Sequence, residues 1–214
     1  MARHTIDFDL PEELRTALQV SSSDPRRVVL MTCGIAGNSN VNLPSRSKSR
    51  QITPQTGAGK STLSKTVVAQ FPSFIRLSID GYIWDKYGAY GRDYPASSLS
   101  TYQDEAEEAL QARLREILSS GQNDVVLDLS FAFRVDRDEY RQIVEEGGAR
   151  AVLVYLECDK TTLWRRIQAR ERAGLDADSA FKMTMERLDM YLGGFEVPTD
   201  EGQIVIKRSQ DSDT

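Results

Sequence analysis

The sequence predicts an α/β fold, a five-stranded parallel sheet flanked by helices. Five short apolar segments alternate with longer segments of helical periodicity, and this alternation is typical of a parallel sheet with right-handed crossovers. The first apolar segment, residues 28–31, is continuous, as expected for a strand that is buried on both faces. Glycine-bearing sequence separates this strand from a helical segment at residues 61–70. These observations indicate a strand–loop–helix unit around which the other strands assemble.

The other elements follow in chain order. A short helix at residues 11–20 offers Leu14 and Leu18 for docking. The remaining strands are expected at residues 74–79, 124–127, 151–156 and 203–206. The remaining helices are expected from Ser100 to Gly121, over 135–146, after Asp159, and from Ser179 to Gly193, while residues 81–94 form an aromatic- and glycine-rich loop. We therefore expect an N-terminal extension at 1–25, one domain at 26–207 and a flexible tail at 208–214.

Composition limits the classes of function. The chain has 214 residues, enough for one α/β domain with a sizeable core. A net charge of −5 argues against a general binder of nucleic acid or of anionic membranes. Cys33 and Cys158 match no metal-ligand spacing, and the single histidine, His4, makes histidine-based catalysis improbable. No signal peptide or long apolar stretch is visible, so we expect a cytoplasmic protein with no membrane partner.

A phosphate-binding motif is present in two pieces. The pattern G-x-x-x-x-G-K-[ST] fits Gly59-Lys60-Ser61, but its first glycine would then fall on Pro54. If residues 38–57 are left out, the sequence becomes Gly34-Ile-Ala-Gly37-Ala58-Gly59-Lys60-Ser61, which is a complete match. Such a loop binds phosphate with backbone N–H groups at a helix N-terminus. Lys60 would reach the β- and γ-phosphates, and the Ser61 hydroxyl would ligate Mg²⁺.

Three interpretations of the insert at residues 38–57 are open. It contains three basic residues, no acidic residue and little apolar material, which is the composition of a disordered loop. It could be translated non-coding sequence, an in-frame intron whose ends fall within the codons of Gly37 and Gly57. It could instead be a basic loop that contacts nucleic acid or a regulatory partner, or an inert surface insertion. A longer loop is tolerated by the fold more readily than by a phosphate site that needs Gly37 and Ala58 as neighbours.

Two carboxylates follow predicted strands. Asp80 lies at the end of the second strand and could accept the proton of an attacking hydroxyl group; the alternative is a turn or N-cap residue. Asp128 follows the strand 124–127 and could hold Mg²⁺ directly or through water; the alternative is a structural cap. The tyrosines between residues 82 and 94 could stack on a substrate ring or simply pack the loop.

Arginines are concentrated on one predicted helix. Four lie between residues 165 and 172, and Arg166 and Arg170 share a face at i,i+4. This indicates either a lid that clamps phosphate or a well-solvated helix face. Arg134 and Arg137, after the third strand, could contact substrate or form surface ion pairs.

With these residues the chain resembles the P-loop kinase superfamily. It is most similar to the branch that holds zeta toxins, chloramphenicol phosphotransferase, gluconate kinase and polynucleotide kinases. Sequences of this kind are often described only broadly, as AAA-like ATP-binding domains. The resemblance implies nucleotide contacts from Gly34, Gly37, Gly57, Ala58, Gly59, Lys60, Ser61 and Thr62. It also implies Asp80 as the catalytic base, Ser61 and Asp128 at magnesium, and Lys60, Arg166 and Arg170 acting on the transferred phosphate.

The implied function is that of a kinase that uses ATP and Mg²⁺ to phosphorylate a hydroxyl group of a small molecule, with activity impaired by the insert. Two alternatives stay open. One is a polynucleotide-end kinase, which needs a basic groove. The other is a non-catalytic nucleotide-binding regulatory protein that has lost catalysis through the interrupted loop.

Overall fold

A computed structural model describes residues 9–34, 57–173 and 183–207 of the chain. The five strands are β1 Val28–Gly34, β2 Phe74–Leu77, β3 Asp124–Leu127, β4 Arg150–Glu157 and β5 Ile204–Lys207. The helices are α1 Glu12–Leu18, α2 Lys60–Gln70, α3 Ile79–Tyr87, α4 Leu99–Ser120, α5 Arg134–Glu146, α6 Lys160–Ala173 and α7 Met185–Gly194. All strand pairs are parallel, in the order β2-β3-β1-β4-β5. The predicted α/β fold with a five-stranded parallel sheet is confirmed.

Strand β1 lies at the centre of the sheet. It pairs with β3 on one side and with β4 on the other, and all seven of its residues are buried. It continues to Gly34, three residues beyond the predicted segment, because its pairing with β4 is maintained up to Leu156. The first glycine of the divided motif therefore terminates the central strand.

Each face of the sheet has its own core. On one face Val29 and Met31 pack with α3, α4 and α5; on the other Val28 and Leu30 pack with α1, α2 and α6. This follows from the alternation of side chains along a strand. Leu14 and Leu18 are buried in the second core, as expected, although α1 is shorter than the predicted helix. Among the described residues, no helix is long and apolar enough to cross a membrane.

The region after β2 differs from the prediction. The strand stops at Leu77, and the Ser78 hydroxyl accepts the Gly81 N–H, which caps a helix where a loop was expected. Helix α3 therefore contains Asp80 and the first half of the aromatic segment. Helix α4 ends at Gly121 in the left-handed conformation, as predicted.

Two helix boundaries near the C-terminus can be compared with their predicted caps. The Asp159 side chain accepts the Thr162 N–H and caps α6, as expected. Ser179 lies outside the described residues, and the cap of α7 is Thr184, whose hydroxyl accepts the Arg187 N–H.

Candidate functional site

The two halves of the divided motif meet at the carboxyl edge of the sheet. A Cβ atom added at Gly34 would lie 3.3 Å from the Leu156 Cβ and 3.4 Å from the Ala58 Cβ. Gly34 therefore lies in contact with Ala58, although more than twenty residues separate them in sequence. Gly37 and residues 38–56 lie outside the described residues. Open α/β sheets bind ligands at this edge.

The second half of the motif starts α2. Gly59 has φ +94°, a conformation that favours glycine, and its carbonyl accepts the first helical hydrogen bond, from the Leu63 N–H. Lys60 and Ser61 are the first helical residues and both are buried, while Thr62 is half-buried. The first turn carries no acidic residue and no side chain caps it. The helix N-terminus and Lys60 together make this end of α2 attractive to an anion.

Helix α6 closes one side of this loop. A Cβ atom at Gly57 would lie 3.0 Å from the Arg166 Cβ and 3.1 Å from the Leu163 carbonyl oxygen. The Arg166 Nη1 atom also lies 3.4 Å from the Gly57 carbonyl oxygen, to which it donates. The structure thus brings Arg166 to the loop, as the lid hypothesis requires. The Arg170 side chain lies outside the described part of the chain.

Asp80 occupies the first turn of α3, at the carboxyl end of β2, and is partly exposed. The sequence suggested that Asp80 directly follows the strand. In the structure the strand ends at Leu77, Ser78 caps α3, and the helix begins at Ile79, one residue before Asp80. The pKa of Tyr94 is raised to about 12, mainly by burial and also by the negative charge of Asp80.

Asp128 follows β3 directly and is 3% exposed. Its backbone N–H extends the ladder to the Leu77 carbonyl, 2.9 Å away. Arg76 donates to its Oδ2 from Nε at 2.9 Å and from Nη2 at 2.5 Å. Its Oδ1 is buried and has no hydrogen-bond partner among the described residues. Sequence reasoning missed Arg76, although an arginine within the apolar strand Phe74–Leu77 is a usable signal, since it needs an acidic partner.

The aromatic segment packs against α4. The hydroxyl groups of Tyr82 and Tyr87 donate to Glu105 at 2.6 and 2.5 Å. The rings of Tyr87 and Tyr102 stack at a centroid distance of 3.6 Å, so each covers a face of the other. The sequence left open whether these tyrosines stack on a substrate or pack the protein. For Tyr82 and Tyr87 the observed role is packing.

Arg137 is not a surface residue. It is 1% exposed and forms two hydrogen bonds with Glu201, which is 2% exposed, at 2.9 and 2.6 Å. It also donates to the carbonyl oxygens of Phe131 and Glu196. These contacts attach the segment before β5 to α5, which is a structural role.

The central strand, the glycine-bearing turn and the buried Lys60 and Ser61 place the chain in the P-loop kinase-like superfamily, which confirms the predicted resemblance. A family model described as an AAA domain matches residues 55–198, about two thirds of the chain, and the chain belongs to this family. The match begins near the end of the insert and therefore omits β1 and Gly34. No curated protein sequence matches the chain significantly.

Solved structures share the fold at low sequence identity. A candidate kinase from Chloroflexus aurantiacus has a TM-score of 0.62 and 13% identity, over 88% of this chain and 92% of that one. Kti12 of Chaetomium thermophilum, in complex with ADP-AlF3, has a TM-score of 0.54 and 10% identity, over 86% and 92%. The APS kinase CysC of Mycobacterium tuberculosis, in complex with AMPPNP and APS, has a TM-score of 0.52 and 14% identity, over 88% and 92%. These similarities establish the fold.

Proposed function

We propose that this chain is a kinase that uses ATP and Mg²⁺ to phosphorylate a hydroxyl group of a small molecule. One observation carries the proposal: Gly34 at the end of β1 contacts Ala58, directly before Gly59 and Lys60 at the start of α2. A phosphate-binding loop requires this arrangement of strand, glycine-bearing turn and helix N-terminus.

Each proposed role uses a group that the fold brings to the same edge of the sheet. The N–H groups at the start of α2 and the Lys60 ammonium group bind the phosphates of ATP. Asp80 accepts the proton of the acceptor hydroxyl. Arg166, held at the Gly57 carbonyl, donates to the phosphate from the side of α6.

The residues at the carboxyl end of β3 and at the start of α2 fit a magnesium ion. The buried Asp128 Oδ1 atom has no hydrogen-bond partner within the described ranges, and a carboxylate oxygen is the ligand that Mg²⁺ prefers. Ser61, also buried, supplies a hydroxyl group at the start of α2. The described residues contain no cluster of three or more His, Cys, Asp or Glu side chains that could hold a metal. Phosphate oxygens of the nucleotide would therefore complete the coordination of the ion. When bound, Mg²⁺ neutralises charge on the transferring phosphate.

Two observations favour a small molecule over a nucleic acid as the proposed acceptor. The APS kinase CysC, which shares the fold of this chain, forms a complex with AMPPNP and APS. The chain also carries a net charge of −5, which opposes binding of a polyanion.

ATP affinity measured by isothermal titration calorimetry tests the binding half of the proposal. The chain lacking residues 38–57 should bind ATP more tightly than the chain as given, because Gly37 and Ala58 become neighbours. Lys60→Met should weaken binding about 10–100-fold, the value of a charge-assisted hydrogen bond to phosphate. Lys65→Met, which removes the same charge from an exposed position on α2, is the matched control and should leave the affinity unchanged.

Phosphoryl transfer tests the catalytic half. The tighter-binding version is screened against a library of hydroxyl-bearing metabolites, and phosphorylated products are identified by mass spectrometry. Asp80→Asn should lower transfer to the identified acceptor by about 10²–10⁴-fold without loss of ATP affinity. Unchanged transfer by this variant would refute the role of Asp80. Tight ATP binding with no transfer to any acceptor would support a non-catalytic nucleotide-binding protein instead.

A further inference from the structure

The contact between Arg76 and Asp128 is one-sided. Two atoms of Arg76, Nε and Nη2, donate to the same oxygen of the carboxylate, Oδ2. The other oxygen, Oδ1, is buried and receives no hydrogen bond from any described residue. A side-by-side arginine–carboxylate pair would satisfy both oxygens. A buried carboxylate oxygen without a partner is costly, so its presence next to the phosphate-binding loop points to a ligand.

The sheet register fixes this geometry. Arg76 pairs with Val126, so Asp128 lies two positions further along the neighbouring strand. Residues two apart in a strand point to the same face, so Arg76, Val126 and Asp128 share one face of the sheet. Val126 packs in the same core as Leu63 of α2, the helix that starts with Lys60 and Ser61. Arg76 and Asp128 therefore lie on the face that α2 covers, at the edge where the divided loop meets.

We propose that Arg76 is a positioning residue that holds the Asp128 carboxylate by Oδ2 and thereby presents Oδ1 to the magnesium ion or to a water molecule bound to it. This inference rests on the proposed function, since it concerns the metal of the same site. The guanidinium group of Arg76, whose side chain is 22% exposed, also compensates the charge of the buried Asp128 carboxylate before the metal binds.

The loss of Arg76 should weaken metal binding in the folded protein. Without the guanidinium group the carboxylate can rotate, and the oxygen that faces the metal is no longer fixed. Residues that orient a metal ligand typically contribute about 10–100-fold to metal affinity. Nucleotide affinity measured without a divalent cation should change little, because Arg76 is not part of the loop that binds the phosphates.

Manganese binding tests the inference directly. Electron paramagnetic resonance measures free Mn²⁺ in the presence of saturating ADP, for the chain as given and for the version lacking residues 38–57. Arg76→Gln should weaken Mn²⁺ binding about 10–100-fold, and Arg76→Lys, which keeps the charge but loses the planar fork, should fall between. Arg27→Gln is the matched control, because Arg27 pairs with the buried Asp124 at the opposite end of the same strand β3. It should bind Mn²⁺ like the parent.

A double variant separates positioning from general destabilisation. If Arg76 acts through Asp128, then Arg76→Gln should have no further effect on Mn²⁺ affinity in the Asp128→Asn variant. Equal losses in the two backgrounds would overturn the inference, as would unchanged Mn²⁺ affinity in Arg76→Gln. If the parent protein binds neither ADP nor Mn²⁺, the proposed function itself fails, whereas parental binding that Arg76→Gln leaves intact refutes only the role of Arg76.

Discussion

Replacing Arg137 by methionine should destabilise the protein strongly, although Arg137 lies outside the proposed phosphate-binding loop. The change removes both hydrogen bonds to Glu201 and leaves that carboxylate 98% buried beside an apolar side chain. It also removes donors from two backbone carbonyl oxygens, those of Phe131 and Glu196. Breaking a buried pair by removing one partner typically costs about 3–5 kcal/mol. Arg141, which still donates to Glu201 at 2.8 Å, retains part of the compensation. We therefore expect a loss of about 3 kcal/mol, at the lower end of this range.

Urea unfolding monitored by far-UV circular dichroism measures this loss. Arg134→Met is the matched control, because its pair with Asp138, at 3.6 Å, is exposed. Such pairs contribute about 0–1 kcal/mol, so the control should unfold near the parental midpoint. The double variant Arg137→Met/Glu201→Met should recover most of the loss, since an apolar pair replaces a broken ionic one. A loss below 1 kcal/mol for Arg137→Met, or no recovery in the double variant, would refute the reasoning.

The pH dependence of stability provides a second test of the contribution of the Arg137–Glu201 pair. Burial acts to raise the pKa of Glu201, but hydrogen bonds and charge from Arg137 and Arg141 prevail and lower it below the ordinary value of 4.5. A carboxylate with a lowered pKa stabilises the folded state above its unfolded-state pKa, and this contribution disappears as the pH falls through the folded-state value. The parent should therefore lose stability below about pH 4.5, and Glu201→Gln should show a smaller loss over that range.

Three further predictions concern the core, a turn and a thiol. Leu114→Ala, at a fully buried position in the α4 core, should cost about 2–5 kcal/mol in urea unfolding, and a cost under 1 kcal/mol would contradict its assignment to the core. Gly88→Ala should cost about 1–3 kcal/mol, because Gly88 has φ +81° and a Cβ atom there would lie 2.4 Å from the Asp93 Oδ2 atom; an unchanged melting temperature would contradict this geometry. Burial raises the pKa of the Cys33 thiol to about 12, so iodoacetamide at pH 8 should react with it only as fast as the protein opens. Reaction of Cys33 at the rate of an exposed thiol would show that the strand end is open.

The fold was predictable because its signals are local. The continuous apolar run of β1, the helical spacing of Leu110 and Leu114 in α4, and the glycine stop at Gly121 are each readable within a few residues. The strand and the helix that flank the proposed phosphate loop were predictable for the same reason, since each half of the divided motif adjoins one of them. The start of α3 was missed, yet Ser78 is a readable N-cap signal.

Two ion pairs between residues far apart in sequence could not be predicted in the same way. Arg76 and Asp128 lie 52 positions apart, and Arg137 and Glu201 lie 64 positions apart. Their contacts depend on the order of the strands and on their register, and neither property is written in a local pattern. Asp128 was identified because it follows a strand, whereas its partner could only be found once β2 and β3 were known to be neighbours.

The effect of the insert on the fold should be smaller than its effect on the site. β1 is held by its pairing with β3 and β4, and α2 is held by the burial of Leu63 and Val67, so neither element depends on the length of the connection. Removing residues 38–57 shortens the link between Gly34 and Ala58 about eightfold, which by loop-closure entropy alone stabilises the folded state by roughly 2 kcal/mol. Phosphate binding has no such tolerance, because successive backbone N–H groups must converge on one anion. A protein that is already folded gains no ligand affinity from further stability. A change in ATP affinity on removal of residues 38–57 therefore reports on the site itself.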